Sequence, residues 1–251
     1  MKLKVQIILL ILSAKTIGVL GQNSDNQSWL FLNFDYKVSE NNIVAFQLWD
    51  RNYYNESNNR HLYFVNIAHN YMYSEKTHYL FGIINQFDIR NNSFDTSKDE
   101  SRDRYTISPW QGISYDFLRF GKIKLGTLSR IEERFTISGS TDFDLRLRER
   151  LQVRSSITKH IGFRATSEII FNINDDSTKQ GIYADQLRTT FSLNYKFFDK
   201  VKLELGYGLF CRRASKSNLN FRFSTNIFML SMDYTLTSKE RNHKYHNKRH
   251  Y

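Results

Sequence analysis

The sequence predicts an all-β fold, an antiparallel transmembrane β-barrel of 10 to 12 strands, and three observations carry that prediction. Apolar and polar side chains alternate with a period of two almost without pause from Trp29 onward. The connections between alternating segments are short and long by turns. The polar face carries arginine and glutamate side by side, which suits a crowded interior better than a solvated exterior.

The period is clearest between Arg130 and Arg154, RIEERFTISGSTDFDLRLRERLQVR, where every arginine has an even number while Leu145, Leu147, Leu151 and Val153 are odd. Arg and Glu favour helix, but at about 100° per residue these apolar positions scatter and form no stripe. At 180° they fall on one side and the arginines on the other, which is a strand with one apolar and one charged face. The same alternation runs through Leu187 to Tyr195 and through Val201 to Leu209. Strands are expected near 29–37, 43–51, 60–73, 77–88, 104–117, 121–135, 142–158, 162–172, 183–198, 201–213 and 219–236. Most exceed the ~5 to 6 residues usual in soluble sheets and reach the ~9 to 11 that a tilted membrane strand needs.

Short turns are expected at Ser39–Asn42, Ser74–Lys76, Leu118–Phe120, Lys159–Ile161 and Asp199–Lys200, with longer polar loops at 52–59, 91–103, 136–141 and 173–182. Short connections on one rim and long ones on the other are the habit of outer-membrane barrels. An odd number of segments conflicts with the even counts of single-chain bacterial barrels, so one segment is expected to split or to be no true strand, the two nearest the N-terminus being the suspects. Tyr71, Tyr73, Tyr115, Phe117, Tyr195 and Phe197 cluster near strand ends, where an aromatic girdle belongs. A soluble lipocalin-like barrel would use the same alternation with its apolar face inward, and it is the alternative architecture.

Composition narrows the classes further. Only 40% of residues are hydrophobic while 15% are aromatic, so there are many apolar faces and little buried core. The single proline and 11 glycines exclude collagen-like composition. Cys211 is the only cysteine, which rules out an internal disulfide and a cysteine-based zinc site. The net charge of +11 makes anionic lipid an expected neighbour, and an exported chain is not expected to meet nucleic acid. Residues 1–21, with Lys2 and Lys4 ahead of the apolar run Val5 to Leu12 and small residues near Gly21, read as a cleaved signal peptide too short to span a bilayer. Residues 22–238 are then the barrel, placed in the outer membrane, and 239–251 a basic, histidine-rich tail. In that tail Lys239, Arg241, Lys244, Lys248 and Arg249 suit anionic lipid headgroups.

On a barrel, the even-numbered face of residues 121–154 lines the lumen. Arg130, Glu132, Arg134, Arg146, Arg148 and Arg150, joined by Glu168, Arg188 and Glu204 from later segments, are the expected ladder of ion pairs, with Arg164 and Arg212 nearby. Two readings follow: an anion-attracting pore, or a plug of Arg and Glu filling a narrow barrel, which the small strand number favours. Glu149 breaks the parity and points at lipid, through a bulge or at the membrane boundary.

Catalysis is not expected. Interfacial lipid-modifying barrels place a histidine with Ser and Asn or Glu. His61, His69, His78 and His160 qualify by type only, and no serine stands in a nucleophile setting. The loop acids Asp95, Asp99, Glu100 and Asp103 lack calcium-loop spacing, and no metal or other cofactor is expected.

The runs RIEERF, LRLRERLQVR, SEIIFNI, DQLRTTFSLNY and LELGYGLF resemble a family of uncharacterised bacterial outer-membrane β-barrel proteins, a domain of unknown function. The resemblance extends from about Trp29 to Leu236 and is carried by Arg130, Glu132, Arg134, Arg146, Arg148, Glu168, Gln186 and Arg188. It implies the barrel architecture and no activity.

Overall fold

The computed structural model describes residues 25–54, 60–90, 103–138, 140–173, 182–215 and 218–237. The expected signal peptide and basic tail lie outside these residues. Period-two alternation, with abundant β-branched and aromatic residues, yields strands throughout. They are β1 (Asp25–Lys37), β2 (Asn42–Tyr54), β3 (Arg60–Met72), β4 (Thr77–Arg90), β5 (Arg104–Phe120), β6 (Ile123–Ile137), β7 (Thr141–Ser156), β8 (Ile161–Asn172), β9 (Tyr183–Phe198), β10 (Val201–Ser215) and β11 (Asn218–Thr237).

Each strand pairs with its sequence neighbours, and β1 closes on β11 to complete a barrel. Neither N-terminal segment is spurious: β1 and β2 pair from Asn26↔Tyr54 to Lys37↔Ile43. The expectation that one of the eleven must split or fail is therefore corrected. An odd number of strands in an up-and-down meander leaves the first and last running the same way, so the β1–β11 seam is parallel, in unbroken register from Asp25↔Thr225 to Lys37↔Thr237. Parallel pairing is slightly weaker per residue. Side chains reinforce this seam: Asn33 Nδ2 donates to Asp233 Oδ1 at 2.6 Å and to Ser231 Oγ at 3.0 Å, and Lys202 holds Asp233 at 2.6 Å.

Two connections differ from expectation. The turn after β5 is not Leu118–Phe120, which are still strand, but Gly121 and Lys122. Gly121 has φ 55° with open space around it, a left-handed conformation that glycine adopts without a Cβ penalty. Between β6 and β7 only residues 138–140 intervene, because the strands extend past the expected loop edges. Glu149 is also corrected: β6 and β7 pair without a register shift there, and Glu149 sits near the middle of β7. It is neither at a bulge nor at a strand end, and it accepts a hydrogen bond of 2.7 Å from Ser129 Oγ on the same outer face.

The barrel turns its apolar face outward. Phe191 is 47% and Leu205 45% exposed, in company with Phe81, Ile83, Ile113, Leu151 and Leu193. Inward lie Asn66, Asp88, Arg130, Glu132, Glu168 and Gln186, all buried, together with Trp29, Phe64 and Trp110. An exposed apolar belt around a polar interior is the arrangement of a membrane barrel and the inverse of a lipocalin.

Candidate functional site

Strand parity puts charges from β6, β7, β8 and β9 into one lumenal layer, and register decides how they meet. Arg130 stands directly opposite Arg148, a repulsive pairing if left alone. The layer resolves it diagonally, since long side chains reach neighbours two positions along the facing strand. Arg148 Nη1 donates to Glu132 Oε1 and its Nη2 to Glu168 Oε2, both at 2.7 Å, so one guanidinium bridges β6 and β8. Glu132 also pairs with Arg130. Glu168 Oε1 accepts from Arg150 Nε at 3.0 Å and from its Nη2 at 2.8 Å, while Arg188 Nη1 stands 3.8 Å from Glu168 Oε2.

The remaining predicted residues fall outside this network. Arg134 meets Asp144 at 3.6 Å nearer the long-loop rim. Arg146 is the register partner of Glu132 but forms no ion pair among the described residues. Glu204 belongs to a separate group toward the short turns, with Arg164 at 3.4 Å, Lys202 at 3.9 Å and a hydrogen bond of 2.7 Å from Ser192 Oγ.

Facing the charged wall is an aromatic one, built by β1 to β5, whose residues are not among the expected ion pairs. Arg51 projects from it. Its guanidinium carbon lies 4.0 Å from the Trp29 ring centre, 4.4 Å from Phe64 and 5.6 Å from Trp49. It borders the same cavity as Arg148 and Glu168 of the charged wall. Arg130 stacks 4.2 Å from the Trp110 ring, and Arg188 lies 5.0 Å from Phe210 and 5.9 Å from Trp29. Trp110 Nε1 donates to Asn66 Oδ1 at 3.0 Å, and Asn66 Nδ2 donates to Gln47 Oε1 at 2.7 Å, which fixes the Trp110 ring. The signal was in the sequence: Trp49 and Arg51 share the parity of Ala45 and Gln47, and Trp29 that of Phe31 and Asn33.

Eleven strands exceed the about 8 at which side chains alone fill a barrel, so space remains. A cavity of about 460 Å³ runs from this layer toward the short-turn rim, bounded by Arg51, Arg130, Arg188, Trp29, Trp49 and Trp110 among others.

His69 Nε2 meets Asn42 Oδ1 at 3.0 Å, His78 Nδ1 meets Asn70 Oδ1 at 3.2 Å, and His61 stacks on Tyr63. Among the described residues no cluster of three or more His, Cys, Asp or Glu is placed to hold a metal.

A closed β-barrel with an apolar exterior and an ionic lumen defines a membrane-barrel protein of porin-like architecture. Residues 26–220 match the family described as "Protein of unknown function (DUF2490)", and the chain belongs to that family. Among solved structures it is similar to the NanC porin, with a TM-score of 0.50 and 12% identity, over 85% of this chain and 100% of that one. No curated protein matches it.

Proposed function

We propose that this protein is a pore-like, non-enzymatic barrel of the bacterial outer membrane whose lumen is partitioned at mid-height by ion-paired arginine and glutamate. The observation that carries this reading is the Glu132–Arg148–Glu168 bridge, faced by Arg51 from the opposite wall. The porin-like fold and the apolar belt support the placement in the outer membrane, with the bilayer as principal partner. A signal peptide at residues 1–21 is the export route in this reading, and the tail at 239–251 meets anionic headgroups.

The test is reconstitution in planar bilayers. The wild-type barrel conducts weakly or not at all, whereas Trp110→Ala combined with Arg148→Ala, which removes material from both walls, produces steps of clearly larger conductance. A large, steady wild-type current would defeat the partition, and phospholipid turnover lost on changing His61 or His69 would restore the enzyme reading.

A further inference from the structure

The charge of the partition does not balance. Arg51, Arg130, Arg148, Arg150 and Arg188 meet there, and the carboxylates within it are Glu132 and Glu168. Among the described residues Arg51 has no carboxylate partner; its contacts are aromatic faces. Arg51 Nε and Arg188 Nε are buried without hydrogen-bond partners. Arginine does not shed its proton in proteins, so the layer cannot relieve the excess by neutralising itself. Stacking on rings offsets part of the cost of desolvating a cation but leaves its charge in place. The cavity beside them is lined by six arginines, Arg164 included, against three carboxylates, Asp35, Glu168 and Glu204, and an excess of guanidinium groups there calls for an anion.

We propose that the chamber on the short-turn side binds a small organic anion. Its carboxylate or phosphate head is taken by Arg51 and Arg188, and its apolar body lies against Trp29, Phe31 and Trp49. The cavity has the size class of small-molecule sites. Arg51 and Arg188 converge on the Trp29 ring, 4.0 and 5.9 Å from its centre, so the chamber offers a charged end and an apolar face side by side, which matches a ligand that carries both. Guanidinium planes grip carboxylate and phosphate alike through paired N–H donors. The proposal rests on the partition reading, because a continuous water-filled lumen would hydrate the excess charge.

All three tryptophans of the chain line the chamber, so their fluorescence reports on it directly. Purified barrel in detergent is titrated with benzoate, phenyl phosphate, inorganic phosphate and, as the neutral control, benzyl alcohol. Saturable quenching by benzoate or phenyl phosphate, with benzyl alcohol inert, is expected, and whichever binds more tightly names the head group. Arg51→Met and Arg188→Met should each weaken binding at least tenfold while the barrel keeps its heat-modifiable mobility on gels. Because Arg51 has no ion-pair partner among the described residues, its replacement should leave folding intact; Arg188→Met is the independent check. Absence of saturable quenching, equal response to benzyl alcohol, or unchanged affinity in both variants overturns the proposal. Inorganic phosphate binding as tightly as phenyl phosphate overturns the aromatic half of it. High wild-type conductance with binding retained would sink the partition alone, and a silent barrel without binding would sink the anion site alone.

Discussion

Asn33 on the first strand donates a 2.6 Å hydrogen bond to Asp233 on the last, and the two are register partners in a parallel pair. That contact exists because an odd number of strands brings the ends of the sheet together pointing the same way. Parallel neighbours of this kind lie within the Cα separation a disulfide tolerates. The double variant Asn33→Cys/Asp233→Cys, in a Cys211→Ser background, is expected to cross-link on oxidation, while Asn33→Cys with Thr225→Cys, far off register, is not. Mass spectrometry of the non-reduced protein reads the outcome, and efficient linkage of the second pair would contradict the parallel closure.

Glu168 accepts hydrogen bonds from Arg148 and Arg150 and faces Arg188, so its loss leaves several guanidinium groups uncompensated. Glu168→Gln is expected to destabilise the barrel by about 3 to 5 kcal/mol in urea unfolding, the range for removing one partner of a buried pair. Glu204→Gln, whose ion-pair partners stand 3.4 and 3.9 Å away and whose nearer contact is the neutral Ser192 hydroxyl, should cost clearly less. Combining Glu168→Gln with Arg148→Met should be non-additive by ~0.5 to 3 kcal/mol, the signature of groups in one network.

Gly82 lies beneath Trp110. A Cβ there would stand 2.5 Å from the Ile67 carbonyl oxygen and 2.9 Å from the indole ring. Gly82→Ala must therefore push the indole away from Asn66, with a loss of about 1 to 3 kcal/mol, the usual cost of overpacking. A shift of tryptophan emission accompanying the lost stability tests this, and an unchanged spectrum at full stability would refute it.

Phe191 occupies the middle of β9 and faces outward. Phe191→Arg should reduce stability in lipid by ~2 to 4 kcal/mol, as for a cation on the lipid face at the bilayer midplane. Thr190→Arg, one residue away but lumenal, adds a cation to an interior already rich in them. It should retain membrane insertion and instead tighten the anion dependence of tryptophan quenching. Comparable insertion of both variants would mean that the outer face of β9 is covered by protein.

Much of this architecture is legible residue by residue, because side-chain direction in a strand depends only on parity. Arg130, Glu132, Arg148 and Glu168 could be assigned to one face without knowing their neighbours. Glu149 could be assigned to the other, although its hydrogen bond to Ser129 required the β6–β7 register. Arg51 shows the opposite case: its parity and its neighbour Trp49 are readable, but its importance comes from the rings of Trp29 on β1 and Phe64 on β3, which only the strand pairing brings to it. The β5–β6 turn escapes the period because a register shift between Asp116 and Leu118 inverts the parity, so that Leu118 and Phe120 carry the apolar outer face on to the rim, where the positive φ of Gly121 marks the reversal.

The amino-acid sequence by itself determined where strands run and, between register shifts such as the one at Asp116/Leu118, which way each side chain points, since both follow from a local period of two. Only the tertiary structure decided that β1 closes on β11 in parallel, that Arg148 bridges two carboxylates diagonally rather than meeting its register partner, and that Arg51 confronts the charged wall. These depend on strand number and sheet curvature, which set distances across the lumen between residues that no short-range pattern connects.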